Sequence, residues 1–378
     1  MLLFLCLLLS ICINSEKVFV SCEGNYYDGN QGTLWSIYND TVYEYNNNPI
    51  GSIAQSLYVY NDKLFVIVNG SSNIQIFDIL DEGLSLLNII DTAGSGPREM
   101  IVVDDELYFT NWYSMDVKKI NLETLEIESS IPMPGLPEDI IVKNNLLYVS
   151  IVMNSDWSNG SQVVSIDMSS DTIENVYNVG MGPGDLAILD NDIYISRTYY
   201  DSSWNAFYGT SKIGINGDVI MADYGAGAVC GGGIYKFQDS IYRIYNGGIA
   251  KLDNNLEIIP ETRLGNYNSW EVYSAEVYQD VVYFGLSDFV GNDEVAIVGL
   301  DGEELQRYTV GSIPGDFAFW NHCSYDGDLN EDEVLDVLDV VLVSNMILQS
   351  SEYSCSADIN NDSIINIVDI IDLLQIIL

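Results

Sequence analysis

The chain is short of positive charge, histidine, cysteine and long apolar runs, and each shortage excludes something. Lys and Arg number 13 against 56 Asp and Glu, a formal net charge of −43 over 378 residues. Nucleic acid is excluded as a partner, because neutralising phosphates takes Lys and Arg. An anionic membrane surface is disfavoured on the same ground. The single histidine, His322, stands late in the chain, so a histidine base before it is excluded. Residues 2–13 form one apolar run, of signal-peptide length and too short to cross a bilayer. No other segment is apolar enough to serve as a transmembrane span. Residues 1–15 therefore read as a signal peptide ending at Ser15, although the usual basic start is missing. The mature protein is expected to be secreted.

What is present is a large apolar fraction, 48% of residues, enough for a substantial core. The acidic excess reads as a solvated surface suited to salty surroundings. Removing the leader leaves Cys22, Cys230, Cys323 and Cys355. Cys323 and Cys355 stand in matching places upstream of two similar acidic segments, and in an oxidising compartment a disulfide between them is expected. Whether Cys22 meets Cys230 is left open.

Between residues 16 and 320 short strand signals recur. The clearest are Lys63-Leu64-Phe65-Val66, Glu106-Leu107-Tyr108-Phe109, Leu146-Leu147-Tyr148-Val149, Asp192-Ile193-Tyr194-Ile195, Ser240-Ile241-Tyr242 and Val281-Val282-Tyr283-Phe284. Most follow an Asn or Asp turn, and Gly-Pro or Pro-Gly corners separate the units at Gly96-Pro97, Pro134-Gly135, Gly182-Pro183 and Pro314-Gly315. Four strands per unit with turns between them is the pattern of a β-propeller blade. The unit running from Tyr108-Phe109-Thr110-Asn111 to Pro134-Gly135-Leu136-Pro137 resembles the YVTN type of β-propeller. Residues 17–22 and 32–37 match the second and third strands of a unit lacking its first strand, and residues 314–320 supply a first strand alone. The expected fold is thus an all-β, seven-bladed propeller closed by pairing the first and last strands, which removes exposed edges.

Loops after the second strands are rich in aromatics and amides. Asn25, Tyr26, Asn111, Trp112, Trp157, Arg197, Tyr199, Tyr200 and Trp204 are the candidate ligand-binding residues, for a carbohydrate or a peptide. No catalytic residue is assigned. Paired carboxylates could still hydrolyse a glycosidic bond, and the corner acids Glu99, Glu138, Asp139, Asp185 and Asp316 are expected near the central channel.

The C-terminus carries one oxygen-rich pattern twice: Asp328, Asn330, Asp332, Val334, Asp336, Asp339, then Asp358, Asn360, Asp362, Ile364, Asn366, Asp369. Oxygens at loop positions 1, 3, 5, 9 and 12, with a carbonyl at position 7, suit calcium. Starting the first loop at Asp326 would put Val337 at position 12, so the register is defined. Apolar segments expected to be helical follow at 340–348 and 370–378. The pair resembles a dockerin, a small all-α calcium-binding module, here residues 321–378. That resemblance implies two Ca2+ sites and a cohesin-like protein partner met through positions 10 and 11: Val337, Leu338, Ile367 and Val368. Position 6, usually Gly, holds Glu333 and Ser363, at a cost on the order of 1 kcal/mol. The whole is expected to be a secreted, non-enzymatic binding propeller attached through a calcium-dependent contact. The alternative is an extracellular carbohydrate-active enzyme delivered by the same module.

Overall fold

A computed structural model describes residues 16–25, 29, 31–46, 50–80, 83–227, 232–321, 327–330, 334–349, 355–360 and 364–378. The expected signal peptide, Tyr26, Cys230, Cys323, Asp332, Glu333, Asp362 and Ser363 lie outside these residues. The chain divides into compact units, with residues 17–320 forming one and 321–378 belonging to the other.

The larger unit is a seven-bladed β-propeller of seven antiparallel sheets. Blade 1 consists of Ala54–Tyr60, Lys63–Val68, Asn73–Leu80 and Gly83–Asp91. Blades 2, 3 and 4 repeat this over residues 97–132, 135–178 and 183–226, and blade 6 over 272–309. Blade 7 pairs the late strand Pro314–Asn321 with the early strand Glu16–Cys22, then adds Gln31–Tyr38 and Thr41–Tyr45. The ring is therefore closed by its two ends, as expected. Blade 5 departs from the pattern: among the described residues it holds three strands, Ile234–Phe237, Ser240–Tyr245 and Gly248–Lys251. A short 3-10 turn at Pro260–Thr262 follows where a fourth strand would run, and proline there removes a ladder donor.

All six strand signals are second strands. In Lys63–Val68 every residue after the first is buried, because a second strand is covered by a neighbouring blade on each face. The fourth strands, such as Thr172–Asn178, are largely exposed and polar, which blunts the outer edges. Asp104, Asp105, Asn144 and Asn145 all adopt positive φ, the geometry a two-residue hairpin demands. Each pair of neighbouring blades shares one apolar cluster. Phe19, Leu34 and Trp320 of blade 7 meet Leu57, Leu64 and Phe77 of blade 1, while Tyr283 and Val295 of blade 6 meet Val18, Val20 and Phe317 of blade 7. Cys22 lies in the latter cluster as a free, buried thiol, which burial pushes well above its ordinary pKa.

In the C-terminal unit α1 spans Val337–Gln349 and α2 spans Ile367–Ile377. Both start earlier than the apolar segments suggest, because loop position 9 caps each helix. Asp336 Oδ1 accepts from Leu338 N at 2.7 Å, and Asn366 Oδ1 accepts from Val368 N at 2.8 Å. Val343, Ala357 and Leu373 form the buried centre between the helices. No helix among the described residues is long and apolar enough to cross a membrane.

Candidate functional site

The first strands of the blades surround a central cavity of about 630 Å³. In blades 3 and 4 the first strand enters through a proline corner and bulges: pairing slips between Pro137 and Ile140 and between Pro183 and Leu186. The bulge directs the second residue after the proline toward the channel. Its backbone N–H is then held by a hydroxyl on the second strand. Glu99 N donates to Thr110 Oγ1 at 3.0 Å, Asp139 N to Ser150 Oγ at 3.0 Å, and Asp185 N to Ser196 Oγ at 2.9 Å.

All five corner acids line this cavity, joined by Glu23 and Glu276. Two of them tie blades together. Asp139 accepts from Ile140 N at 2.7 Å and, across the blade boundary, from Leu186 N at 2.6 Å. Asp316 does the same with Phe317 N at 2.8 Å and Leu57 N at 2.7 Å. Burial pushes Asp139 up to about 6, Asp316 up to about 7 and Glu276 up to about 8. Glu99 is raised well above the carboxylate range by burial and then by Asp316 and Asp139, and Asp185 by burial and then by Asp139 and Glu138. Glu23 is raised by burial, although Tyr273 Oη donates to it at 2.8 Å.

Arg98 and Lys236 are the basic residues of the lining. Arg98 is engaged on every side: Nη2 and Nε donate to Glu138 at 2.6 and 3.2 Å, Nη1 donates to Gln55 at 2.6 Å, and its guanidinium lies 4.3 Å from the Trp112 ring centre. It joins blades 1, 2 and 3.

Beside the channel mouth, over blades 2–4, a second pocket of about 320 Å³ brings Arg98, Trp112, Glu138 and Asp185 together with Asn159, Thr198 and Tyr200. Two candidate ligand residues from separate loops, Trp112 and Tyr200, thus share one pocket. Trp157 meets Trp112 edge-on at 6.0 Å and Trp204 lies 6.1 Å from Tyr200, both Trp157 and Trp204 being exposed. Asn159 clamps the blade 4 side, donating to Tyr200 O at 2.7 Å and accepting from Tyr200 N at 3.1 Å. The other candidates sit apart. Asn25 is buried and donates to Val290 O and Ser312 Oγ. Asn111 is buried and donates to Phe109 O. Arg197 is buried against Asp223 and Ala222 O, while Tyr199 stacks on Phe207 at 5.7 Å.

Glu276, Glu23 and Asn159 were not singled out by the sequence. Blade 6 enters through Tyr273-Ser274 with no proline corner, so Glu276 lacks the mark that flags Asp139 or Asp185. Alternation along the strand Val272–Tyr278 is the signal that places it.

In the C-terminal unit the two loops repeat one hydrogen-bond pattern. Asp339, at position 12, accepts from Leu329 N and Asp336 N, both at 3.0 Å. Asp369 accepts from Ile359 N at 2.9 Å and Asn366 N at 2.7 Å. Asp339, Asp358 and Asp369 are fully buried, yet residues 321–378 contain no Lys or Arg. Buried carboxylates in an all-oxygen donor set fit a hard divalent ion. Among the described residues no three acidic, His or Cys side chains gather into a metal site, position 5 of each loop lying outside them. Val337, Leu338, Ile367 and Val368 are all exposed on the first turns of the helices.

A family model described as a YNCE-like β-propeller matches residues 43–193. No curated protein matches the sequence. The likeness to solved structures is one of fold. A Lactobacillus plantarum protein aligns with a TM-score of 0.60 at 12% identity, covering 81% of this chain and 99% of its own. Hydrazine synthase of Kuenenia stuttgartiensis gives 0.54 at 13% identity, covering 69% and 88%. A candidate 6-phosphogluconolactonase from Bacteroides fragilis gives 0.55 at 12% identity, covering 82% and 99%.

Proposed function

We propose that this propeller is a secreted, non-enzymatic binding protein whose ligand, a carbohydrate or a peptide, sits in the pocket over blades 2–4. The observation that carries the reading is the meeting of Trp112 and Tyr200, from different blades, beside Arg98, Glu138 and Asp185. Aromatic faces supply contact area, and the polar groups behind them fix orientation. The C-terminal module attaches the propeller to a surface or extracellular assembly by binding two Ca2+ ions and presenting Val337, Leu338, Ile367 and Val368 to a cohesin-like domain. A screen of the protein against glycans and peptides tests the first part, with Trp112→Ala and Tyr200→Ala run beside it. Retention of every hit by both variants would sink the pocket reading.

A second reading is favoured by the channel. Glu276 near 8 and Asp316 near 7 are values a general acid needs at neutral pH. That supports the carbohydrate-active enzyme, a glycoside hydrolase or lyase using these acids. Against it, both carboxylate oxygens of Asp139 and of Asp316 are taken by backbone N–H groups. Release of reducing ends from a panel of polysaccharides, abolished by Glu276→Gln, would establish this reading over the first.

A further inference from the structure

We infer that the pocket over blades 2–4 takes the lysine side chain of a cationic peptide segment. The inference rests on that pocket being the ligand site and narrows its occupant by charge.

Asp185 lines both the pocket and the channel. Its backbone N–H is held by Ser196, but its carboxylate accepts no hydrogen bond from any described residue. Arg98, the cation in the pocket wall, is already engaged by Glu138 and Gln55. The carboxyl is thus an acceptor without a hydrogen-bond donor, facing a cavity that can hold one. Burial, Asp139 and Glu138 oppose its ionisation; an ammonium beside it would favour the charged form, a neutral ligand would not, and an anionic one would oppose it further.

Access matches the same chemistry. The pocket is lined by exposed Tyr200 and by Trp112, against which exposed Trp157 packs edge-on, and aromatic ring faces attract cations. A lysine presents a compact ammonium on a flexible four-carbon stem. The stem lies against the rings while the ammonium reaches Asp185, with Thr198 and Asn159 in the same wall to orient it. The net charge of −43 steers such a segment toward the protein, and the acids behind Asp185 favour seating its head at the channel mouth.

The test uses the full chain and titrates a short Lys-Gly peptide, the same peptide acetylated on every lysine, and a neutral oligosaccharide, all at about 150 mM salt so that diffuse attraction is screened. Expected is one peptide per protein, with at least tenfold weaker binding after acetylation and tenfold weaker binding by Asp185→Asn. Glu303→Gln, which removes a charge from an exposed turn of blade 6, should leave binding unchanged. Tyr200→Ala is the second variant, to be used if Asp185→Asn does not fold. Equal binding of the acetylated peptide, or equal losses in Asp185→Asn and Glu303→Gln, overturns the inference. A neutral oligosaccharide that needs Trp112 but not Asp185 overturns the inference and leaves the pocket reading standing. Absence of any binding sensitive to Trp112→Ala overturns both.

Discussion

Asp316 accepts the backbone N–H of Leu57 at 2.7 Å, so a side chain on the last strand of the propeller holds the first strand of blade 1. The carboxylate also takes Phe317 N, and Asp139 repeats the geometry between blades 3 and 4. Strand pairing in blade 7 and this acid therefore close the ring at two places: within the sheet and between sheets.

Replacing Asp316 by Asn should weaken the ring. An amide turns one N–H donor toward a backbone N–H, leaving that donor unsatisfied at about 1–3 kcal/mol. At pH 5.5 Asp316 is mostly neutral, since its pKa is pushed up to about 7, so the substitution there changes the hydrogen bond and little charge. Urea unfolding at that pH should show the loss, and Asp139→Asn should show a similar one. A midpoint unchanged in both variants would deny these acids their bridging role.

The channel acids also set how stability depends on pH. Asp139, Asp316 and Glu276 have folded pKa values raised to about 6, 7 and 8, against about 4 in an unfolded chain. The folded state therefore binds more protons between these limits. Its advantage is complete below pH 4 and is lost as pH rises through 6 to 8. Asp156, Asp201 and Glu304 are shifted downward, so their contributions change only at lower pH. Melting temperature should fall by about 3 °C or more from pH 5 to pH 8. Glu276→Gln should flatten the upper part of that slope. A melting temperature that rises over this interval would contradict the assignment.

The propeller was legible because its second strands are buried on both faces and announce themselves as apolar runs after Asn or Asp turns. Proline corners located Asp139, Asp185 and Asp316 for the same reason: proline and glycine mark the entry of each first strand. Glu276 escaped because its blade enters without that mark. Asn25, Asn111 and Arg197 look like surface residues in sequence, yet the fold puts them inside. Asn25, for one, is held by Val290 and Ser312, more than 250 residues away. The pocket over blades 2–4 depends on distances between loops of different blades, which periodicity does not encode.

Arg98 offers a separate test, because it joins three blades through one planar group. Arg98→Ala leaves Glu138 without its counter-ion and removes the cation from the Trp112 face. The pair is only slightly exposed, so a loss of about 2–4 kcal/mol is expected. Arg98→Lys keeps the charge but not the two-pronged contact and should recover only part of it. Unfolding curves give the energies, and the altered Trp112 environment should shift tryptophan emission. A stability change below about 0.5 kcal/mol in the alanine variant would show the pair to be dispensable.

The C-terminal loops make the last prediction, and their repetition supplies its control. Asp339 and Asp369 each bind backbone N–H groups from loop positions 2 and 9, so each acid folds its own loop around itself. Asp369 also completes a capping box with Asn366 at the start of α2. If the loops bind calcium as proposed, the full chain should take up two equivalents, and chelation should leave buried Asp339 and Asp369 without the neutralising ion. Helical signal should then fall on adding a chelator and return with calcium, while the strand signal of the propeller stays constant. Asp369→Ala should lower the uptake to one equivalent and Asp339→Ala should do the same, because each variant spares the other loop. Uptake of two equivalents by either variant, or a helical signal indifferent to chelator, would remove calcium from the account and leave the acids as loop and helix-capping residues alone.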